Sequence, residues 1–222
     1  MLKLYHVPIS FNSRRVWVAL LEKGLEFELI PMKLDGDQFQ ADFLALNPFH
    51  HIPVLVDGDL TIIESLAILD YLEAQYPEPP LLPAQPQALA IVRMVEMVTV
   101  NELLPATRPL IQQALGLADV APEQLEPAKQ QIATVLGVLE NWLAEPPYFG
   151  GERLTLADIV AGTAVPILPS LGVSLQGYPH LSDWTQRLRQ RASWQQTEAT
   201  PEEVEAFKSR MKQLMARSSQ GG

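Results

Sequence analysis

Cysteine is absent from this chain of 222 residues. Its absence excludes disulfides, thiolate metal sites and a cysteine nucleophile of the protein's own. Any thiol chemistry must therefore use a thiol carried by the substrate. Histidine is scarce, limited to His6, His50, His51 and His180. The His50-His51 pair lacks the i,i+4 helical spacing of zinc hydrolases, so no metal site is expected. Net positive charge is also lacking: the formal charge is -10. Such a chain repels nucleic acid and anionic membrane unless it holds a local basic patch. The densest basic stretches, Arg14-Arg15 and Arg187 to Arg191, lie among apolar helical positions without the interleaved aromatics of a single-strand groove. No run of 18 uncharged apolar residues occurs, and Met1-Leu2-Lys3-Leu4 does not open a secretory signal. A cytoplasmic protein is expected, with no nucleic-acid or membrane partner.

An apolar share of 47% is enough for one large or two modest cores. Residues 2–7 read as a strand with Leu2, Leu4 and His6 on one side, stopped by Pro8. Ser10-Phe11-Asn12-Ser13 forms a turn rich in helix caps, and a helix is expected from about Arg14 to Lys23, ended by Gly24. Phe27 to Met32 reads as a second strand, and Asp37 to Leu46 is weakly helical before Asn47-Pro48. Two short apolar runs flank Asp57-Gly58 as a hairpin, and a helix follows from Glu64-Ser65 to Tyr76. That order closes one layered α/β domain over 1–76.

Five prolines between Pro77 and Pro86 mark 77–87 as a linker. Beyond it, 88–222 reads as all helical. Long helices are expected at Ala88 to Leu104 and Glu126 to Leu143, the latter with Ile132, Leu136, Leu139 and Leu143 on one face. Pro105 and Pro109 are expected to kink or interrupt the chain after the first of these. Pro146 to Gly151 reads as a loop, Thr155 and Asp158 as a capping box, and 181–191 and 201–216 as short helices. Ser218 to Gly222 is expected to fray.

Three ordered elements carry a family resemblance: Phe43 to Phe49, Ile52-Pro53-Val54-Leu55, and Glu64-Ser65-Leu66-Ala67-Ile68. Together they resemble the glutathione-binding signature of the cytosolic glutathione transferases. Leu154 to Asp158 resembles the folding motif of that family's second domain. Leu4-Tyr5 through Ser10, Ser13, Arg14, Arg15 and Val16 resembles the serine-type classes, theta and phi, with the cyanobacterial chi class a further resemblance. The resemblance implies a thioredoxin-like α/β N-terminal domain and an all-helical C-terminal domain. It also implies an enzyme joining glutathione to small hydrophobic electrophiles, as in detoxification, with glutathione as co-substrate, no cofactor and a homodimeric assembly. Two alternatives share the scaffold: a glutathione-dependent isomerase, and a non-enzymatic interaction protein.

A thiol of ordinary pKa ~8.5 is only about 3% ionised at pH 7, and lowering that pKa by ~2 units takes roughly 2.7 kcal/mol. A hydroxyl donor and a helix N-terminus can supply much of this. The resemblance places Ser10 in the donor role, with shaping the turn as its other reading. Ser13 is the second candidate and otherwise caps the helix; Asn12 donates to sulfur or caps. Tyr5 falls within the strand and reads as core. Ile52-Pro53 resembles the family's cis-proline, which would present the Ile52 backbone to the cysteinyl part of glutathione; the other reading is a trans proline opening an edge strand. Glu64 and Ser65 are implied for the γ-glutamyl ammonium and carboxylate, or else form an ordinary cap. His51 stands where relatives commonly carry a lysine for the glycyl carboxylate, and His50 where they carry glycine; a histidine there would let glutathione binding weaken as pH rises. Gln38 is a further candidate for the glycyl carboxylate. The second substrate is expected between the domains, with Phe11, Met94, Met97 and Val98 as walls and Arg93, Glu96 and Asn101 as polar contacts. Core packing is the alternative for the methionines. Thr155 and Asp158 read as fold residues.

Overall fold

The computed structural model describes residues 1–144 and 146–220, the side chains of 216–220 excepted. Its chain divides into two units, Met1–Pro79 together with the segment from Ser193 onward, and Pro80–Ala192.

The first unit is built on a four-stranded sheet in the order β2-β1-β3-β4. Strand β1 (Leu2–His6) alternates buried and half-buried side chains, with Leu2, Leu4 and His6 turned inward as their spacing predicts. It pairs in parallel with β2 (Phe27–Pro31) and antiparallel with β3 (Val54–Asp57). β3 turns through Gly58, whose φ of 57° lies in the left-handed region, into β4 (Leu60–Ile63). Helices α1 (Phe11–Glu22), α2 (Ala41–Leu46) and α3 (Ser65–Gln75) complete the thioredoxin-like layer, with a 3₁₀ turn at Asp37–Phe39. α1 begins at Phe11, earlier than the expected Arg14, because Ser10 and not Ser13 is its N-cap: the Ser10 hydroxyl accepts from Ser13 N at 3.4 Å.

The end of α1 is tied to the end of α3 by Lys23, whose buried Nζ meets Glu73 at 2.6 Å and donates to the Tyr76 and Pro79 carbonyls at 2.8 and 3.0 Å. The start of α1 is tied to α9 (Ala192–Gln196), since Arg14 donates to the Trp194 carbonyl and the Thr197 hydroxyl at 3.2 Å each. These bonds explain a departure from expectation. The segment after Ser193, α10 (Pro201–Gln220) included, belongs with the first unit and not with the helical one. α10 is helical through Gln220, so 218–220 continue the helix and do not form the frayed end expected from Ser218 to Gly222; residues 221 and 222 lie outside the described residues.

The second unit is helical: α4 (Pro86–Val98), α5 (Leu104–Ala114), α6 (Pro122–Leu143), α7 (Leu156–Gly162), a 3₁₀ segment at Val165–Leu171, and α8 (Pro179–Arg189). The stripe Ile132, Leu136, Leu139 and Leu143 is buried as its spacing predicts. Pro105 and Pro109 do not interrupt the chain. Pro105 occupies the first turn of α5, and the irregularity falls before it, in a π turn at Thr99–Leu103 that accommodates the amide proline lacks. Asp158 is fully buried at the start of α7. It accepts from Thr155 N and Thr155 Oγ1 at 2.8 Å, Trp184 Nε1 at 2.9 Å and Phe149 N at 3.0 Å. The expected Thr155–Asp158 capping box thus exists within a larger buried network. No described helix is long and apolar enough to cross a membrane.

Candidate active site

Strand register decides which residues meet. Tyr5 is opposite Val54, Val54 opposite Ile63, and His6 opposite Pro31. The ends of β1, β2 and β4 and the start of β3 therefore share one edge of the sheet. Four connections leave from that edge: the loop carrying Ser10, the segment reaching Gln38, the stretch from Asn47 to Pro53, and the pair Glu64-Ser65.

Ser10 N donates to Val7 O at 3.0 Å, which turns the chain into α1. The Ser10 hydroxyl accepts from Ser13 N, and its own proton has no acceptor among the described residues. A hydroxyl at a helix N-terminus with a proton to give can stabilise a thiolate. Ser13 is differently placed: it is fully buried, and its hydroxyl accepts from Val7 N at 3.2 Å, pinning the turn from inside. Asn12 is exposed in the first turn of α1, and Phe11 is half-exposed. Tyr5 packs edge-to-face on Phe43 at 5.9 Å, in line with its core reading.

The Ile52-Pro53 peptide is cis, and Pro53 is buried at the mouth of β3. Glu64 has φ 65° and ψ 114°, an unusual conformation for a residue with a Cβ. It stands at the N-cap of α3 yet makes no capping bond, so its carboxylate is left exposed instead of serving the helix. Ser65 opens α3, almost buried, and accepts from Arg15 Nη1 at 3.5 Å. Arg15 is fully buried on α1 and was not singled out as a site residue by the sequence, where it reads as half of a basic pair. It places a positive charge under the helix start where an anion would bind.

Asn47 is a second residue the sequence understates. It is buried, and its side chain donates to His51 O at 2.9 Å and accepts from Phe49 N at 3.0 Å. It thereby shapes the loop that carries both histidines. His50 has φ 49°, the left-handed region, which is why glycine suits this place. Its ring lies 4.9 Å from Phe39 and 5.7 Å from His51. His51 Nδ1 is 4.0 Å from Glu64 Oε1, both side chains exposed. Gln38 accepts from Gly36 N at 3.2 Å through Oε1, leaving its amide N–H groups turned to other uses. Behind the edge, burial pushes the His6 imidazole below its ordinary pKa, and Glu203 partly offsets that. Among the described residues no group of three or more His, Asp or Glu is arranged to hold a metal.

In the second unit, Met94, Met97 and Val98 follow the i, i+3, i+4 spacing of one face of α4, with Met94 and Met97 41% and 46% exposed, while Asn101 lies exposed in the π turn that follows. Exposure favours a wall over core packing for these two. Glu96 departs from expectation: it is buried and paired with Arg93 at 2.9 Å, so it offers no outward contact.

Comparison with known proteins matches this arrangement. The family profile "Glutathione S-transferase, N-terminal domain" matches residues 4–80, and "Glutathione S-transferase, C-terminal domain" matches residues 105–192. Glutathione S-transferase 3 of Zea mays is 39% identical over 209 residues, covering 89% of this chain and 93% of its own. The maleylacetoacetate isomerase of Mus musculus is 33% identical over 184 residues, covering 81% of this chain and 83% of its own. The structure of a theta class glutathione S-transferase from Xanthomonas axonopodis pv. citri with glutathione bound aligns with TM-score 0.80 and 28% identity, over 90% of this chain and 97% of that one.

The fold is that of a thioredoxin-like α/β domain joined to an all-helical one. The chain belongs to the glutathione S-transferase family, and is an enzyme that conjugates glutathione to electrophiles.

Proposed function

We propose that Ser10 is the hydroxyl that holds the glutathione sulfur as a thiolate. One observation carries the reading: Ser10 has a proton to give, at the N-terminus of α1, on the sheet edge that also bears cis-Pro53, Glu64 and Ser65. The Ile52 backbone would align the cysteinyl part. Ser65, backed by Arg15, would take the γ-glutamyl carboxylate and Glu64 its ammonium. His51 and Gln38 would meet the glycyl carboxylate, with His50 bordering them. Asn12 is a second donor within reach of the first turn. The buried, engaged Ser13 supports the turn instead of the sulfur. In the reaction the thiolate forms a carbon–sulfur bond, the leaving group departs with its electron pair, and the thiol proton passes to solvent. Phe11, Met94, Met97, Val98, Arg93 and Asn101 are the proposed contacts for the electrophile.

The class we favour is serine-type, theta- or phi-like, in a cytoplasmic homodimer; sedimentation velocity tests the dimer. The test of the chemistry is the ultraviolet absorbance of bound glutathione thiolate, titrated against pH for the wild type and Ser10→Ala. A thiol pKa well below ~8.5 that rises in the variant supports the assignment. A lowered pKa untouched by the variant passes the role to Asn12 or the helix terminus. No thiolate in either protein refutes the assignment of Ser10. The similarity to a maleylacetoacetate isomerase supports a second reading, reversible thiolate addition that permits cis–trans rotation. Glutathione-dependent isomerisation of maleylacetone is its assay.

A further inference from the structure

α10 has an unusual place in the first unit. None of its described side chains is buried, yet it lies against the sheet edge that carries the thiol loop. Between them is a hollow of about 180 Å³. Its walls are apolar, formed by Val7 and Ile9 from the loop before Ser10, Met32 after β2, and Phe207 of α10. A closed cavity of about 150 Å³ is known to hold benzene, so this hollow has room for a substituted ring. Ile9 immediately precedes Ser10, so one wall of the hollow belongs to the same loop as the proposed thiol donor.

The charges around the hollow are unevenly placed. Glu203 borders one end, and its carboxylate is occupied in capping α10, accepting from Thr200 N at 2.8 Å. Arg210 borders the other, two turns along the helix and about 10 Å away at 1.5 Å per residue. Arg210 donates from Nη1 to the Lys33 carbonyl. Lys33 also lines the hollow. Neither cation has a carboxylate partner among the described residues. Asp35 borders a neighbouring hollow that shares Ala206 and Arg210 with this one, and it forms no ion pair with Arg210. In a chain of net charge -10, two unpaired cations at the rim of an apolar hollow are a specific arrangement for a negative charge.

We propose that this hollow binds an apolar acid: an aromatic ring lies against Ile9, Met32 and Phe207, and its carboxylate meets Arg210 and Lys33. On the reading that the thiolate forms at Ser10, the enzyme then prefers anionic aromatic electrophiles over neutral ones of the same reactivity. Arg210 is the residue that sets this preference. The C-terminal helix is thus part of the substrate site.

Binding is measured first without glutathione. Equilibrium dialysis of the full chain with 3,5-dinitrobenzoate and with neutral 1,3-dinitrobenzene should give a tighter constant for the acid. Arg210→Gln should reduce that advantage about tenfold, the scale of one lost charge-assisted hydrogen bond. Lys33→Gln removes the second cation while keeping the backbone carbonyl that Arg210 holds, and should reduce it several-fold; it decides the matter if Arg210→Gln loosens α10. The kcat/KM ratio of 4-chloro-3,5-dinitrobenzoate to its methyl ester should fall in parallel. Equal binding of acid and neutral compound by the wild type, or a ratio unmoved by both variants, overturns the proposal. If neither chloride is conjugated while the acid still binds in an Arg210-dependent way, the thiolate reading fails and the anion site stands.

Discussion

Substituting Asp158 by Asn should weaken the protein more at pH 5.0 than at pH 7.5. Two effects compete at this fully buried carboxylate. Burial disfavours its charge, and four donated hydrogen bonds favour it. Burial is the larger, and the carboxyl is pushed up from 3.8 to about 6. The raised value fixes the sign. Between these two values the native state binds more protons than the unfolded one, so this group's contribution to stability falls as pH rises through the window. At pH 7.5 ionisation costs the fold about 3 kcal/mol, and at pH 5.0 about 2 kcal/mol. Asn does not titrate. Its penalty, measured against the wild type, should therefore grow by about 1 kcal/mol on going from pH 7.5 to 5.0. Urea unfolding of both proteins at both pH values gives this double difference, in which every other titrating group cancels. An equal penalty at the two values would mean that the four donors hold the carboxylate ionised throughout. That result refutes the claim that burial wins.

Lys23→Met should cost about 3 kcal/mol, since it leaves Glu73 and two carbonyls without their shared ammonium. An unchanged urea midpoint would show that water replaces it. Gly150→Ala should cost about 2 kcal/mol, because the new Cβ would fall 2.2 Å from Thr155 Cγ2, and the Thr155 hydroxyl is held by Asp158. Gly137→Ala is its counterpart on α6: a Cβ there meets nothing within 4 Å, so the melting temperature should rise with a gain of roughly 0.5–1 kcal/mol.

What could be read in advance follows from how far each determinant lies along the chain. The alternation of Leu2, Leu4 and His6, the Asp57-Gly58 hairpin and the stripe from Ile132 to Leu143 are local patterns, and each forms the expected element. The residues we propose for glutathione were legible for the same reason: Ile52-Pro53 and Glu64-Ser65 are short motifs at the ends of neighbouring strands. Even there, consecutive polar residues were degenerate. Ser10, Asn12 and Ser13 all qualify as caps by type, and only the three-dimensional turn separates the Ser10 proton from the buried Ser13. The strain at Glu64 and the burial of Arg15 under Ser65 leave no mark on composition or spacing.

The remaining determinants act across most of the chain. Arg14 meets Thr197, Glu22 meets Ser193, and Arg210 meets Lys33. No periodicity announces such pairs, and α10 is faintly patterned because it buries none of its described side chains. The two halves of the site thus differ in kind. Glutathione, a constant co-substrate, is met on our proposal by motifs local enough to be read. The electrophile, on our proposal, is met by a C-terminal helix whose place is set only when the chain has folded back on its beginning.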